Sequence, residues 1–314
     1  MTDDLRVVYV GGLGRSGSTL VDRLLGQVPG CASVGELVHL WRRGVLERER
    51  CGCGERFDAC AFWTGVGRRA FGGWDGVDVR GLLALQHRVD RNRYLPWLVV
   101  PAAAPSAWRA DRERYAAVLT RLYRAIADEA GASIVVDSSK HASTAALLRS
   151  VEGVDLRLVQ LIRDPRGVAY SWSKLVARPE AVGDDPMMAQ IGSLRVSVRW
   201  LGYNLLFQGL RYGSPALLLR YEDLVAAPAD RLRSILDLAD RPGEPLSFLE
   251  DGHATLRMQH TVSGNPLRFR NGTIAIRADR DWRTAMPSRE RRLVSAITAP
   301  LRAAYGYVGD RDGA

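Results

Sequence analysis

Apolar residues recur along this chain in two rhythms. Short runs rich in Val, Ile and Leu on both faces are bounded by turn-forming residues: RVVYV at 6–10, SIVVD at 133–137, LRLVQLI at 156–162 and ALLLRY at 216–221. Such runs read as buried strands. Between them the apolar positions fall at helical spacing, over 112–130 (DRERYAAVLTRLYRAIADE) and over 187–212. Strands buried on both faces and separated by helices predict an α/β fold with a central parallel sheet flanked by helices. Region 40–130 carries helical patterns and no clear strand, and is expected to be an insertion after the first βα unit that shapes a substrate cleft. Segment 252–286, rich in Gly, Asn and Arg, is expected to form a long functional loop before a final helix near 287–304. No repeat, low-complexity tract or polar linker divides the 314 residues, so one domain over 1–314 is expected.

Composition narrows the class. With 46% hydrophobic and 25% charged residues the chain can bury a sizeable core. No apolar run approaches the roughly 18 residues of a membrane span, and the start MTDD lacks the positive charge of a secretory signal. A soluble cytoplasmic protein without stable membrane insertion is expected. The 44 basic residues exceed the 35 acidic ones by nine, which favours an anionic partner. The charge is interleaved rather than blocked, so a nucleic-acid partner is not expected; a nucleic-acid-binding module is the rival from outside enzymology. Only Lys140 and Lys174 among the basic residues are lysine. In a chain that writes positive charge as Arg, a loop Lys draws notice, because a compact ammonium and a planar guanidinium suit different sites.

The cysteines are Cys31, Cys51, Cys53 and Cys60. The run CGCGERFDAC supplies three thiols in C-x-C-x6-C spacing, and a zinc site would need a fourth ligand from Cys31 or a histidine such as His39. Buried thiols, or a disulfide pinning a loop, fit that spacing better. No metal is expected in the functional site.

The first strand is followed by GGLGRSGSTLVDRLLG. Gly12, Gly14 and Gly17 let the backbone approach an anion, the helix starting at Ser18 and Thr19 offers free amides, and Arg15 and Ser16 add donors. A triphosphate loop G-x-x-x-x-G-K-[ST] would place Lys where Ser18 stands. That counts against the rival enzyme, a P-loop kinase using ATP and Mg²⁺, although Asp137 at a strand end resembles a magnesium ligand. A dinucleotide fingerprint matches in its glycines but needs a ribose-binding acid after a nearby second strand, and no such strand is apparent. A second anion site follows the strand LRLVQLI. Arg163 stands at its carboxyl end, Asp164 and Pro165 start a helix, and Ser171 lies two turns along it. Two anion sites suit a ligand carrying a phosphate at each end.

GLGRSGSTL, LIRDPRGVAYSW and RYEDL, in this order after successive strands, resemble the sulfotransferase superfamily. The resemblance implies 3′-phosphoadenosine 5′-phosphosulfate as donor and co-substrate, and a small-molecule acceptor hydroxyl, such as that of a secondary metabolite, lipid or glycan. It implies a 5′-phosphosulfate held by Gly14, Arg15, Ser16, Gly17, Ser18, Thr19 and Leu20. It further implies a 3′-phosphate held by Arg163 and Ser171, a pocket shaped by Tyr221, and closure by Asn265 and Arg268 of GNPLRF. Arg15 departs from small-molecule cytosolic members, which carry Lys there, and is similar to tyrosylprotein sulfotransferases. Sulfuryl transfer needs positioning, neutralisation of the leaving group and a base. Arg15 and Lys140 are expected to neutralise the leaving group, Lys140 at the bridging oxygen. Glu36 is the expected base, at a spacing from Arg15 similar to the glutamate of tyrosylprotein sulfotransferases. His141 is its rival, since small-molecule members place a histidine after the corresponding strand. His39, His87, His253 and His260 read as structural or surface. Trp41, Phe62, Trp63, Trp74, Trp97 and Trp108 could line an acceptor pocket or belong to the core.

Overall fold

The computed structural model describes residues 4–177, 179 and 187–307. Strands β1 (Leu5–Gly11), β2 (Cys31–Gly35), β3 (Ile134–Lys140), β4 (Val154–Ile162) and β5 (Ala216–Arg220) form a parallel sheet in the order β2-β3-β1-β4-β5. Helix α1 (Ser18–Leu25) joins β1 to β2. Helices α2 (Ala61–Phe71), α3 (Val79–Val89), α4 (Leu95–Val99) and α5 (Ser106–Ala130) lie between β2 and β3. Helix α6 (Ala142–Leu148) follows β3, α7 (Pro165–Ser173) and α8 (Ser193–Arg211) follow β4, and α9 (Tyr221–Ala226) and α10 (Pro228–Leu238) follow β5. A small antiparallel sheet of β6 (Leu249–Glu250), β7 (His253–Leu256) and β8 (Gly272–Ala275) comes next. The described chain closes with α11 (Trp282–Ala285), α12 (Ser288–Ile297) and α13 (Ala299–Ala304).

Alternation along β1 explains why helices cover both faces. Val7 and Tyr9 point to one side, where they share a core with Leu122 and Ile126 of α5 and Leu147 of α6. Val8 and Val10 point to the other, against Val21 and Leu24 of α1 and Leu232 and Ile235 of α10. Successive side chains of a strand face opposite ways, so a strand apolar at every position must be covered twice. Trp41, Trp63 and Trp108 are buried in the first of these cores, and Phe62, Trp74 and Trp97 pack against it. Of the two readings for these aromatics, the core is the one the structure supports. Among the described residues, no helix is long and apolar enough to cross a membrane.

The sequence-based expectations need four corrections. A strand, β2, follows α1 directly, so the helical insertion comes after β2 and not after the first βα unit. Helix α5 starts at Ser106, and α8 starts at Ser193 rather than at 187. The segment 252–286 is not one long loop: β7 and β8 pair within it, Leu256 opposite Gly272. The final helix is two, α12 and α13, divided at Thr298.

Strand β1 lies between β3 and β4, and the connections leaving β1 and β4 diverge to opposite sides of the sheet. Ligands of open α/β sheets bind in the crevice outside the carboxyl ends at such a point.

Candidate functional site

At the carboxyl end of β1, two glycines are dictated by space and by backbone geometry. Gly12 has φ +137°, and a Cβ there would lie 2.3 Å from the Leu161 carbonyl oxygen. Gly17, at φ +96°, precedes α1, and its Cβ would lie 2.5 Å from the Tyr221 ring. No L side chain fits either place. The Trp172 indole N–H donates to the Gly14 carbonyl at 3.0 Å and fixes the loop from the α7 side. Gly17 offers α1 no side-chain cap. The Leu20 amide donates to the Gly17 carbonyl at 3.0 Å, which leaves the Ser18 and Thr19 amides and the positive end of the helix for an anion.

These residues open onto a cavity of about 1050 Å³, lined by Gly14, Arg15, Gly17, Ser18, Thr19 and Leu20 of the loop. Ser16 is the exception: it is buried and does not line the cavity. Among the described residues, seven cationic side chains line it against two carboxylates, Glu36 and Asp279. Charge spread through the sequence is thus concentrated in one place by the fold. Arg15, Lys140 and Ser263 all line the cavity with positive φ, at 73°, 71° and 57°. Non-glycine residues held there are strained, and such strain gathers at functional sites.

The acid–base groups come from β2 and β3. Gly35 ends β2 and Glu36 follows, its amide donating to the Val262 carbonyl at 2.8 Å. Lys140 ends β3 opposite Gly11 of β1, and its ammonium donates to Glu36 Oε1. The other carboxylate oxygen of Glu36 lies 3.4 Å from His39 Nε2. Burial pushes the Glu36 carboxyl up, but Lys140 and His39 together hold it well below the usual carboxylate range. His141, the next residue after Lys140, is pushed down to about 4 by burial and by His39 and Lys140 nearby. It stands as neutral imidazole at neutral pH. His39, read from sequence as structural or surface, is instead a partner of Glu36 on the cavity wall.

Arg15 reaches the cavity from the loop. Its guanidinium lies 5.3 Å from the Trp172 ring centroid and donates to Met188 Sδ at 3.1 Å. Burial lowers its pKa, and the Glu36 charge works against that shift. Arg163 follows β4 with its guanidinium 4.6 Å from the Tyr221 ring centroid. It donates to the Arg15 carbonyl at 3.2 Å and pairs with the Asp279 carboxylate at 3.1 Å. Ser171 and Tyr221 line the same cavity. An anion reaching Arg163 would share that guanidinium with Asp279.

The tail is divided between the cavity and the protein interior. Asn265 lines the cavity and caps the turn 266–269 through its side chain, which accepts from the Leu267 amide at 3.1 Å. Arg268 does not fit the closing role expected for it. Its guanidinium is buried, donating to the carbonyls of Thr261 at 2.6 Å and Arg50 at 2.7 Å. The side chain two positions on, Arg270, faces the cavity instead. Arg43, Arg199 and Arg277 also line it. Sequence reasoning missed all four, because in an Arg-rich chain no local pattern separates them from surface arginines.

Asp137, which from sequence resembles a magnesium ligand, is fully buried. Tyr123 donates to one of its oxygens, and the Ser139 amide and hydroxyl donate to the other. It braces β3 and does not line the cavity. The acid after β2 is not a dinucleotide ribose ligand in the usual frame either, since β3 lies between β1 and β2.

A family model described as sulfotransferase domain matches residues 7–261. The sequence has no significant match among curated proteins. Solved structures similar to this chain include the sulfotransferase domain of the Synechococcus olefin synthase, at 20% identity and TM-score 0.48, covering 94% of this chain and 95% of that one. The sulfotransferase domain from the curacin biosynthetic pathway is 17% identical with TM-score 0.47, covering 95% and 98%. A sulfotransferase from Mycobacterium avium is 15% identical with TM-score 0.43, covering 98% and 78%.

Proposed function

The chain belongs to the sulfotransferase domain family, and from that membership we propose that it moves a sulfuryl group from 3′-phosphoadenosine 5′-phosphosulfate to the hydroxyl of a small-molecule acceptor. One observation carries the reading. A single cavity joins an α1 N-terminus without a side-chain cap, the Lys140–Glu36 pair, and Arg163 with Ser171. When bound, the donor supplies an electrophilic sulfur and an adenosine bisphosphate leaving group.

Ser18, Thr19 and the first amides of α1 hold the 5′ end. Arg163 and Ser171 hold the 3′-phosphate, and Tyr221, packed against Gly17, walls the nucleotide side. Arg15 and Lys140 neutralise charge growing on the leaving oxygen. Glu36 accepts the proton of the acceptor hydroxyl, and His141 is the rival for that task. The observed Lys140–Glu36 pair links the two roles. As the ammonium turns toward the leaving group, the carboxylate loses its main electrostatic restraint and becomes a stronger base. Asp137, committed to Tyr123 and Ser139, supports this assignment over a magnesium-dependent kinase.

The test supplies radiolabelled sulfuryl donor with a panel of phenols, alcohols and glycans. The expected result is label on an acceptor hydroxyl with equimolar release of 3′-phosphoadenosine 5′-phosphate. Phosphoryl transfer from ATP to the same panel, with none from the sulfuryl donor, would replace this reading by the kinase.

A further inference from the structure

Away from the cavity, three thiols and an imidazole converge. The side-chain donor atoms of Cys51, Cys53, Cys60 and His260 all lie within 4.8 Å of one another. Cys53 Sγ is 3.7 Å from Cys60 Sγ, and His260 Nδ1 is 3.2 Å from Cys60 Sγ and 3.8 Å from Cys51 Sγ. A tetrahedral zinc ion with ordinary bond lengths spaces two sulfurs ~3.8 Å apart and a sulfur and a nitrogen ~3.6 Å apart. The spacing is that of a ligand shell. We propose that Cys51, Cys53, Cys60 and His260 form a closed, structural zinc site that ties the segment after β2 to the segment carrying the far wall of the cavity.

The sequence between the ligands is written for close approach. Gly52 donates its amide to the Thr261 carbonyl at 2.9 Å. A Cβ on Gly52 would lie 2.3 Å from Thr261 Oγ1 and 2.7 Å from the Gln259 carbonyl, so any larger residue would push the two arms apart. Gly54 has open space around it but φ +94°, and its amide closes a tight turn onto the Cys51 carbonyl at 2.8 Å. Cys60 immediately precedes α2, where the helix N-terminus favours a thiolate. The His260 ring stacks on Phe62 with centroids 4.9 Å apart and planes 13° apart. That contact fixes the orientation in which Nδ1 meets the sulfurs.

Three thiolates, a neutral imidazole and Zn²⁺ leave one net negative charge. The buried guanidinium of Arg268 bonds the carbonyls of Arg50 and Thr261, each next to a ligand. A buried cation therefore clamps the same two segments that the metal would join. Four protein ligands leave no open position, which marks a structural site. Its connection to the cavity runs through the chain from His260 to Val262, whose carbonyl accepts from the Glu36 amide and whose amide donates to Val34. Ser263, Gly264 and Asn265 then line the cavity. His260, expected from sequence to be structural or surface, is the fourth ligand sought from Cys31 or His39.

The test uses the full chain, purified without chelator under reducing conditions. About one zinc per chain is expected by elemental mass spectrometry, falling below ~0.1 in Cys53→Ser. Cobalt reconstitution of the unaltered protein is expected to give intense tetrahedral d–d bands and thiolate-to-cobalt charge transfer. His260→Cys is expected to keep the metal while strengthening the charge-transfer band, an outcome independent of catalytic activity. Three results would each overturn the proposal: no zinc retained after reconstitution, weak octahedral cobalt bands, or a disulfide between two of these cysteines after thiol trapping in lysing cells.

Discussion

Replacing Lys140 by Met lowers kcat by about two to three orders of magnitude, the loss expected when one preorganised donor to a developing negative charge is removed. The side chain is the single lysine facing the cavity, 13% exposed. The same change has a second signature. Lys140 is the chief group holding the Glu36 carboxyl low against burial, so in Lys140→Met the carboxyl titrates at higher pH. A base works only while unprotonated, so activity is lost as pH falls through that pKa. In the unaltered enzyme the acid limb of kcat/KM lies below the range of an ordinary carboxylate, and in Lys140→Met it moves upward. A pH series on both proteins checks this; a fall in kcat with an unmoved limb would separate Lys140 from Glu36.

Glu36→Gln is expected to lower kcat by about two to four orders of magnitude, the usual contribution of a general base. Glutamine keeps the shape and an acceptor for Lys140 but cannot take a proton. His141→Ala is expected to cost less than about tenfold, because Glu36 and not His141 is paired with Lys140, and the turn of that ammonium toward the leaving group frees the carboxylate as the base. Single-turnover rates with saturating acceptor make the comparison, with melting midpoints as the folding control. The reverse order of effects would transfer the role to His141.

The legible and illegible parts of this chain differ in range. Strands β1, β3 and β4 are short Val- and Leu-rich runs largely buried on both faces, β5 is a Leu-rich run at the sheet edge, and local pattern suffices to find them. Strand β2, CASVG, carries Ala, Ser and Gly, and its pairing with β3 comes from a residue range far along the chain. The loop around Gly12 and Gly17 was readable because positive φ demands glycine within a few residues of a strand. Arg268 and Arg270 show the opposite case. They are two positions apart in RFR, yet one is locked under Thr261 and Arg50 while the other faces the cavity. Nothing local sets which is which; the turn 266–269 does. His260 likewise meets Cys51, Cys53 and Cys60 across 200 residues or more, beyond any spacing rule.

The central claim is that Arg15 and Arg163 address opposite ends of one nucleotide, and calorimetric titration of 3′-phosphoadenosine 5′-phosphate against adenosine 5′-monophosphate tests it most directly. The bisphosphate is expected to bind about 10- to 100-fold more tightly, as charge-assisted hydrogen bonds to the added phosphate imply. Arg163→Ala is expected to erase most of that difference, and Arg15→Ala to weaken both ligands alike. Equal affinity for the two nucleotides, or a preference that survives Arg163→Ala, would contradict the account.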